Sequence, residues 1–131
     1  MNREPDARAV IERYLHEVLA KGSAGPADRI VADAMLHQSV RAFRTAFGDL
    51  EVTPNVIVAA GEYAAVNLSV RGTHRGLYQG LQPTGRSWSA GCSAVFRVER
   101  GRITDSWVTW DTLAIIEQIG GGILRPPGAS A

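Results

Sequence analysis

The sequence predicts an α+β domain: a cone-shaped, curved sheet, antiparallel or mixed, with N-terminal helices packed on its concave side. Three observations predict it. Apolar residues recur at helical spacing as far as Phe47, the period then changes to that of strands, and the strand-like runs are separated by glycine-containing turns. Helices first and a meander of strands afterwards give a layered α+β arrangement rather than a parallel βαβ sheet. Hairpin-linked strands must curl, and a curled sheet closed by helices encloses space suited to a small molecule.

The elements follow in order. From Pro5 to Lys21, Val10, Ile11, Tyr14, Leu15, Val18 and Leu19 mark one face of a helix, and Gly22 stands where it should end. Ser23 to Pro26 forms a turn, with Pro26 suited to the first position of a second helix carrying Ile30, Val31, Ala34 and Met35. A third, short helix runs through Val40, Phe43 and Phe47 and ends near Gly48-Asp49. Strands are expected over Val52–Ala60, Tyr63–Thr73, Ser87–Glu99 and Arg102–Trp110, with turns at Gly61-Glu62 and Arg100-Gly101. His74 to Arg86 reads as a long connection. A last helix spans Thr112–Ile119. Residues 1–122 form one domain, and 123–131 a flexible tail.

With 131 residues the chain can bury one core. Its 45% hydrophobic and 21% charged residues exclude disorder for the body of the chain. The 14 basic and 13 acidic side chains are interspersed, so there is no one-sided basic face for nucleic acid and no electrostatic reason to bind a membrane. A polar start and the lack of a bilayer-length apolar run predict a cytoplasmic protein. The single Cys92 makes no internal disulfide. No His or Cys pair has zinc-ligand spacing, no phosphate loop is present, and Gly91-Cys-Ser-Ala-Val lacks the second glycine of a nucleophile elbow.

Three stretches carry a family likeness: Val70-Arg-Gly-Thr-His-Arg-Gly-Leu-Tyr-Gln-Gly-Leu-Gln-Pro-Thr-Gly-Arg86, Phe96-Arg-Val-Glu-Arg-Gly-Arg-Ile103 and Trp107-Val-Thr-Trp-Asp-Thr-Leu113. Their order and spacing resemble the SnoaL-like polyketide cyclases, of the nuclear-transport-factor-2-like superfamily of α+β cones. The likeness runs from about Asn67 to Gly120, with a looser match at Tyr14 to Gly22. It implies intramolecular aldol closure of a polyketide-like intermediate, with no metal or redox cofactor, and Asp111 as general acid/base. Three departures stand out: Met35–Phe47 looks shortened, a histidine of some family cyclases falls at Ala94, and the proline-proline-threonine motif reads Gln82-Pro83-Thr84.

Asp111 ends a strand in which Ile103, Asp105, Trp107, Thr109 and Asp111 share one face if side chains alternate strictly. In an apolar pocket its ionised form would be disfavoured, bringing it toward the range where a carboxyl both takes and gives a proton. An equally weighted reading makes it the N-cap of the last helix, worth about 1 kcal/mol. His74 is the second catalytic candidate, as proton donor or carbonyl-orienting group, against a plain strand-end histidine bonded to backbone. Trp107, Thr109, Trp88, Cys92, Tyr14 and His37 are the candidate substrate contacts. The same parity sends Trp107 to the pocket and Trp110 to the opposite side. Cys92 is expected as a buried, inert thiol, and His16 as a solvated side chain.

The expected substrate is small and apolar or aromatic. Three activities remain open: ring closure or isomerisation, epoxide opening or hydroxylation on the same fold, and non-catalytic ligand binding. Asp105 and Asp111, six residues apart, stand roughly 20 Å from one another along a strand and cannot share a water, which weighs against epoxide hydrolysis. Under any of these readings an exposed sheet face would support a homodimer. For ring closure, Asp111→Asn is expected to abolish turnover in a folded protein.

Overall fold

A computed structural model describes residues 6–48 and 50–120. Among the described residues, four helices and one open, curved, four-stranded antiparallel sheet make up the fold, with strand order β1-β2-β3-β4. The strands are β1 (Glu51–Ala60), β2 (Tyr63–Thr73), β3 (Ser87–Glu99) and β4 (Arg102–Trp110). The tail and the expected end of the third helix at Asp49 fall outside the described residues. Among the described residues no helix is long and apolar enough to cross a membrane.

The first helix, α1 (Ala7–Arg13), starts where Asp6 accepts a hydrogen bond from the Ala9 amide (2.8 Å). It continues without a break as a π-helical segment, Tyr14–Ala20, which buries Tyr14, Leu15, Val18 and Leu19. Its final carbonyls are satisfied from outside. Arg44 donates to the carbonyls of Leu19 (2.7 Å), Ala20 (2.5 Å) and Gly48 (3.0 Å). Gly22, at φ 70°, allows this approach, because a Cβ there would lie 2.0 Å from Arg44 Nε.

The next two helices divide differently from the sequence reading. α2 (Ala24–Ile30) stops before Val31, which instead forms a parallel bridge with Ile103 of β4. The amides of Ala32 and Asp33 both donate to the Ile103 carbonyl (2.9 and 3.0 Å). Asp33 then caps α3 (Ala34–Ala46), one continuous helix that takes in Ala34, Met35 and Val40 together. Pairing with the sheet edge outweighs helical periodicity at Val31. The last helix, α4 (Thr112–Gln118), lies close to its expected limits.

Inward side chains alternate along β2 (Ala64, Val66, Leu68, Val70) and β3 (Cys92, Ala94, Phe96, Val98), and these form the core with α1 and the π-helical segment. Trp88 lies opposite Gly72, where a Cβ would come within 2.9 Å of its ring. On β4 the alternation breaks. The register passes from Val98↔Ile103 to Arg97↔Asp105, so Thr104 is an extra residue, a β-bulge. Beyond it, Ser106, Val108 and Trp110 pair with the buried Phe96, Ala94 and Cys92, whereas Asp105, Trp107 and Thr109 pair with Arg97, Val95 and Ser93 on the outer face.

Candidate active site

Between the concave face and α3 lies a cavity of about 800 Å³. Leu68, Cys92, Ala94, Phe96 and Val108 form its floor, Leu36, Val40 and Phe43 its roof, and Tyr14, Leu15 and Leu19 its back wall. Met35 and Leu77 line it although 78% and 60% exposed, so they mark its mouth. Phe43 stacks on Trp110 (centroids 4.3 Å apart, 24° between planes) and meets Tyr78 and Trp88 edge-on at 6.3 and 5.8 Å. The wall on this side is therefore aromatic, suited to a flat substrate. Among the described residues lining the cavity no Lys, Arg or His occurs, and the charged ones are Asp33 and Asp105.

Two of the polar lining residues are joined by a hydrogen bond. Asp33 is half-buried; its Oδ1 accepts from the amides of Met35 (3.1 Å) and Leu36 (3.4 Å), and its Oδ2 accepts from the Ser106 hydroxyl (2.9 Å). Three of about four acceptor positions are thereby used. Ser106 reaches Asp33 because the Thr104 bulge turns it inward. Tyr14, only 3% exposed, lines the cavity and packs edge-on against Phe96 at 5.4 Å. Burial, above all, pushes its ionisation well above the usual tyrosine range, and the nearby Cys92 and Asp33 push the same way. Burial raises the Cys92 thiol to about 12, which fits an inert wall. A carboxylate and a protonated phenol at one end of an apolar chamber can accept a proton from carbon and donate a hydrogen bond to oxygen.

The structure brings together some of the sequence candidates and separates others. Tyr14 and Cys92 line the cavity as expected. Trp110 faces in, and Trp107, 56% exposed, touches only the cavity's edge from the outer face, the reverse of the parity assignment. Thr109 is likewise outward and exposed. The cause in both cases is the bulge, which shifts every later β4 residue by one.

Asp111 does not meet the expectation that it faces an apolar hollow. It is exposed, its Oδ1 accepts from the Ala114 amide (3.1 Å) to cap α4, and it is not among the residues lining the cavity. His74 is fully buried behind the aromatic wall, 5.9 Å from Phe47, and outside the cavity lining. Its Nδ1 accepts from the Thr84 amide (3.2 Å) and lies 3.1 Å from the Thr84 hydroxyl, so it ties down the 74–86 connection. That arrangement assigns the ring proton to Nε2, which has no partner among the described residues. Trp88 is buried behind Phe43 and Phe47. His37 points away from the cavity and pairs with Asp28 (3.1 Å). Asp33 and Ser106 were missed. The signal for Asp33 was an acidic residue just before Ala-Met-Leu, while Ser106 was hidden by the bulge.

Comparison with known proteins agrees with this architecture. The profile of the family described as SnoaL-like polyketide cyclase matches residues 4–119. No curated protein matches the sequence. Among solved structures, a candidate polyketide cyclase from Acidithiobacillus ferrooxidans is similar with a TM-score of 0.76 at 20% identity, over 91% of this chain and 97% of that one. AclR from Streptomyces galilaeus, a candidate hydroxylase, gives 0.75 at 20% identity, over 87% and 95%. A SnoaL-like polyketide cyclase from Agrobacterium tumefaciens gives 0.73 at 17%, over 88% and 99%. At these identities the likeness is one of fold.

Proposed function

The chain belongs to the SnoaL-like polyketide cyclase family, and from that membership we propose that it closes a ring on a small, neutral, polyketide-like substrate by intramolecular aldol chemistry. The observation that carries this reading is the cavity itself: apolar and aromatic over most of its surface, with the hydrogen-bonded Asp33 and Ser106 and the phenol of Tyr14 among its polar groups. A lining whose charges are acidic repels a free carboxylate or phosphate and accepts an ester, ketone or aldehyde. An aldol closure needs a proton removed beside one carbonyl and one delivered to the other oxygen. Excluding water from the chamber strengthens each of those polar interactions.

The test is incubation of the purified protein with a fused-ring aromatic methyl ester bearing a 1,5-dicarbonyl side chain, followed by mass spectrometry. A product of unchanged mass, or one lighter by a single water, is expected. Ala94→Phe, which fills the floor, should abolish both binding and turnover. Failure of such planar neutral esters to bind, or equal turnover by Ala94→Phe, refutes the reading.

A further inference from the structure

Of the two carboxylates among the described residues that line the cavity, Asp105 pairs with Arg97 on the outer face, its Oδ2 3.9 Å from the guanidinium. On the floor, Ala94 and Val108 face one another across β3 and β4 and offer only methyl groups. Asp33 is different in three respects. Its backbone is pinned to the sheet through Ile103, its carboxylate is oriented by two α3 amides and the Ser106 hydroxyl, and one acceptor position is left over. Tyr14 supplies an independent observation: a phenol that is 3% exposed, lines the cavity, and lies near enough to Asp33 and Cys92 to feel their charge. Its hydroxyl is a donor that a ligand oxygen in the cavity can accept from.

We propose that Asp33 carries the proton in this cavity, that Tyr14 donates to the oxygen on which negative charge develops, and that Ser106 is a positioning residue for the carboxylate. The assignment rests on the ring-closing reading above. Asp33 Oδ2 takes the proton from a carbon beside a carbonyl, and the C–H electron pair becomes that of an enolate whose oxygen is held by the Tyr14 hydroxyl. The enolate carbon forms a C–C bond to the second carbonyl carbon, whose π pair moves onto its oxygen. That alkoxide recovers the proton from Asp33. One C–H and one C=O π bond are exchanged for one C–C and one O–H bond, so no oxidant or reductant enters.

Proton removal can be measured without knowing the natural substrate. The probe is 2-tetralone, a planar neutral ketone, whose hydrogen–deuterium exchange beside the carbonyl is followed by NMR in D2O with the full chain. The wild-type protein should accelerate exchange. Asp33→Asn keeps a good helix cap and should lose about 10³-fold of the acceleration. Tyr14→Phe should lose about 10²-fold. Ser106→Ala should lose about 10-fold, with Ser106→Thr restoring the rate, a rescue that a packing role would not give.

Asp33→Asn exchanging at the wild-type rate overturns the assignment and leaves the ring-closing reading standing. A wild-type protein that binds tetralone without exchanging it overturns proton transfer in the cavity altogether, and absence of binding counts against the cavity as the substrate site. Should Asp33→Asn fail to fold by circular dichroism, the Tyr14 and Ser106 variants decide: rates equal to wild type in both overturn the proposal.

Discussion

Truncating the two tryptophans of β4 separately tests the bulge, and with it the whole orientation of the strand around the cavity. A fully buried Trp cut to Ala costs about 3–5 kcal/mol. Trp110 is half-buried, so about half of that applies, roughly 2 kcal/mol, and loss of its stack on Phe43 adds about 1 kcal/mol. Trp110→Ala should therefore destabilise the protein by about 3 kcal/mol, within the 5–15 kcal/mol typical of a domain. Trp107, 56% exposed on the outer face, should cost at most about 1 kcal/mol when truncated. Urea unfolding followed by far-ultraviolet circular dichroism avoids the loss of the fluorophore. With a slope of about 2 kcal/mol/M, the Trp110→Ala midpoint should fall by about 1.5 M and that of Trp107→Ala by less than about 0.5 M. Equal shifts, or a larger one for Trp107→Ala, would refute the inward placement of Trp110.

Two further outcomes follow from the same geometry. Asp111→Ala should lower stability by about 1 kcal/mol through loss of the α4 cap, with tetralone exchange kept near the wild-type rate. A collapse of exchange in that variant would return the proton to Asp111. For the thiol, burial raises Cys92 from 9.0 to about 12, so its protonated form contributes stability in full below the unfolded value. That contribution should drain away as pH rises from about 9 toward 12. Urea midpoints measured across this window should fall less steeply in Cys92→Ala, and an unchanged slope would refute the burial argument.

The fold was legible because it depends on periodicities that survive local irregularities. The apolar stripe of the first helix, the hairpin turns and the alternation along β2 and β3 all appear at their expected residues. Tyr14 and Cys92 reach the cavity wall for the same reason, since each follows an unbroken pattern. The failures sit where one tertiary interaction overrides a local pattern. Val31 has the spacing of a helix residue, yet pairing with Ile103 pulls it to the sheet edge. On β4 a single extra residue, Thr104, inverts every assignment downstream of it. Alternation has no memory of register, so Trp107, Thr109 and Asp111 inherited the wrong face together.

Asp33 and Asp111 show why local sequence could not rank the two acids. Each directly precedes a helix and caps its first turn, Asp33 accepting from the Met35 and Leu36 amides and Asp111 from that of Ala114, so each satisfies the N-cap pattern. The cap explains all that the structure gives Asp111. For Asp33 it explains one oxygen: the second oxygen, Oδ2, is held by Ser106, seventy-three positions along the chain, at the edge of a chamber that also contains the Tyr14 phenol. That difference lies in β4 register and in how α2 meets the sheet edge, both long-range consequences of folding. A carboxylate whose hydrogen bonds exceed what its helix requires is therefore the better place to look for chemistry than one that its helix fully accounts for.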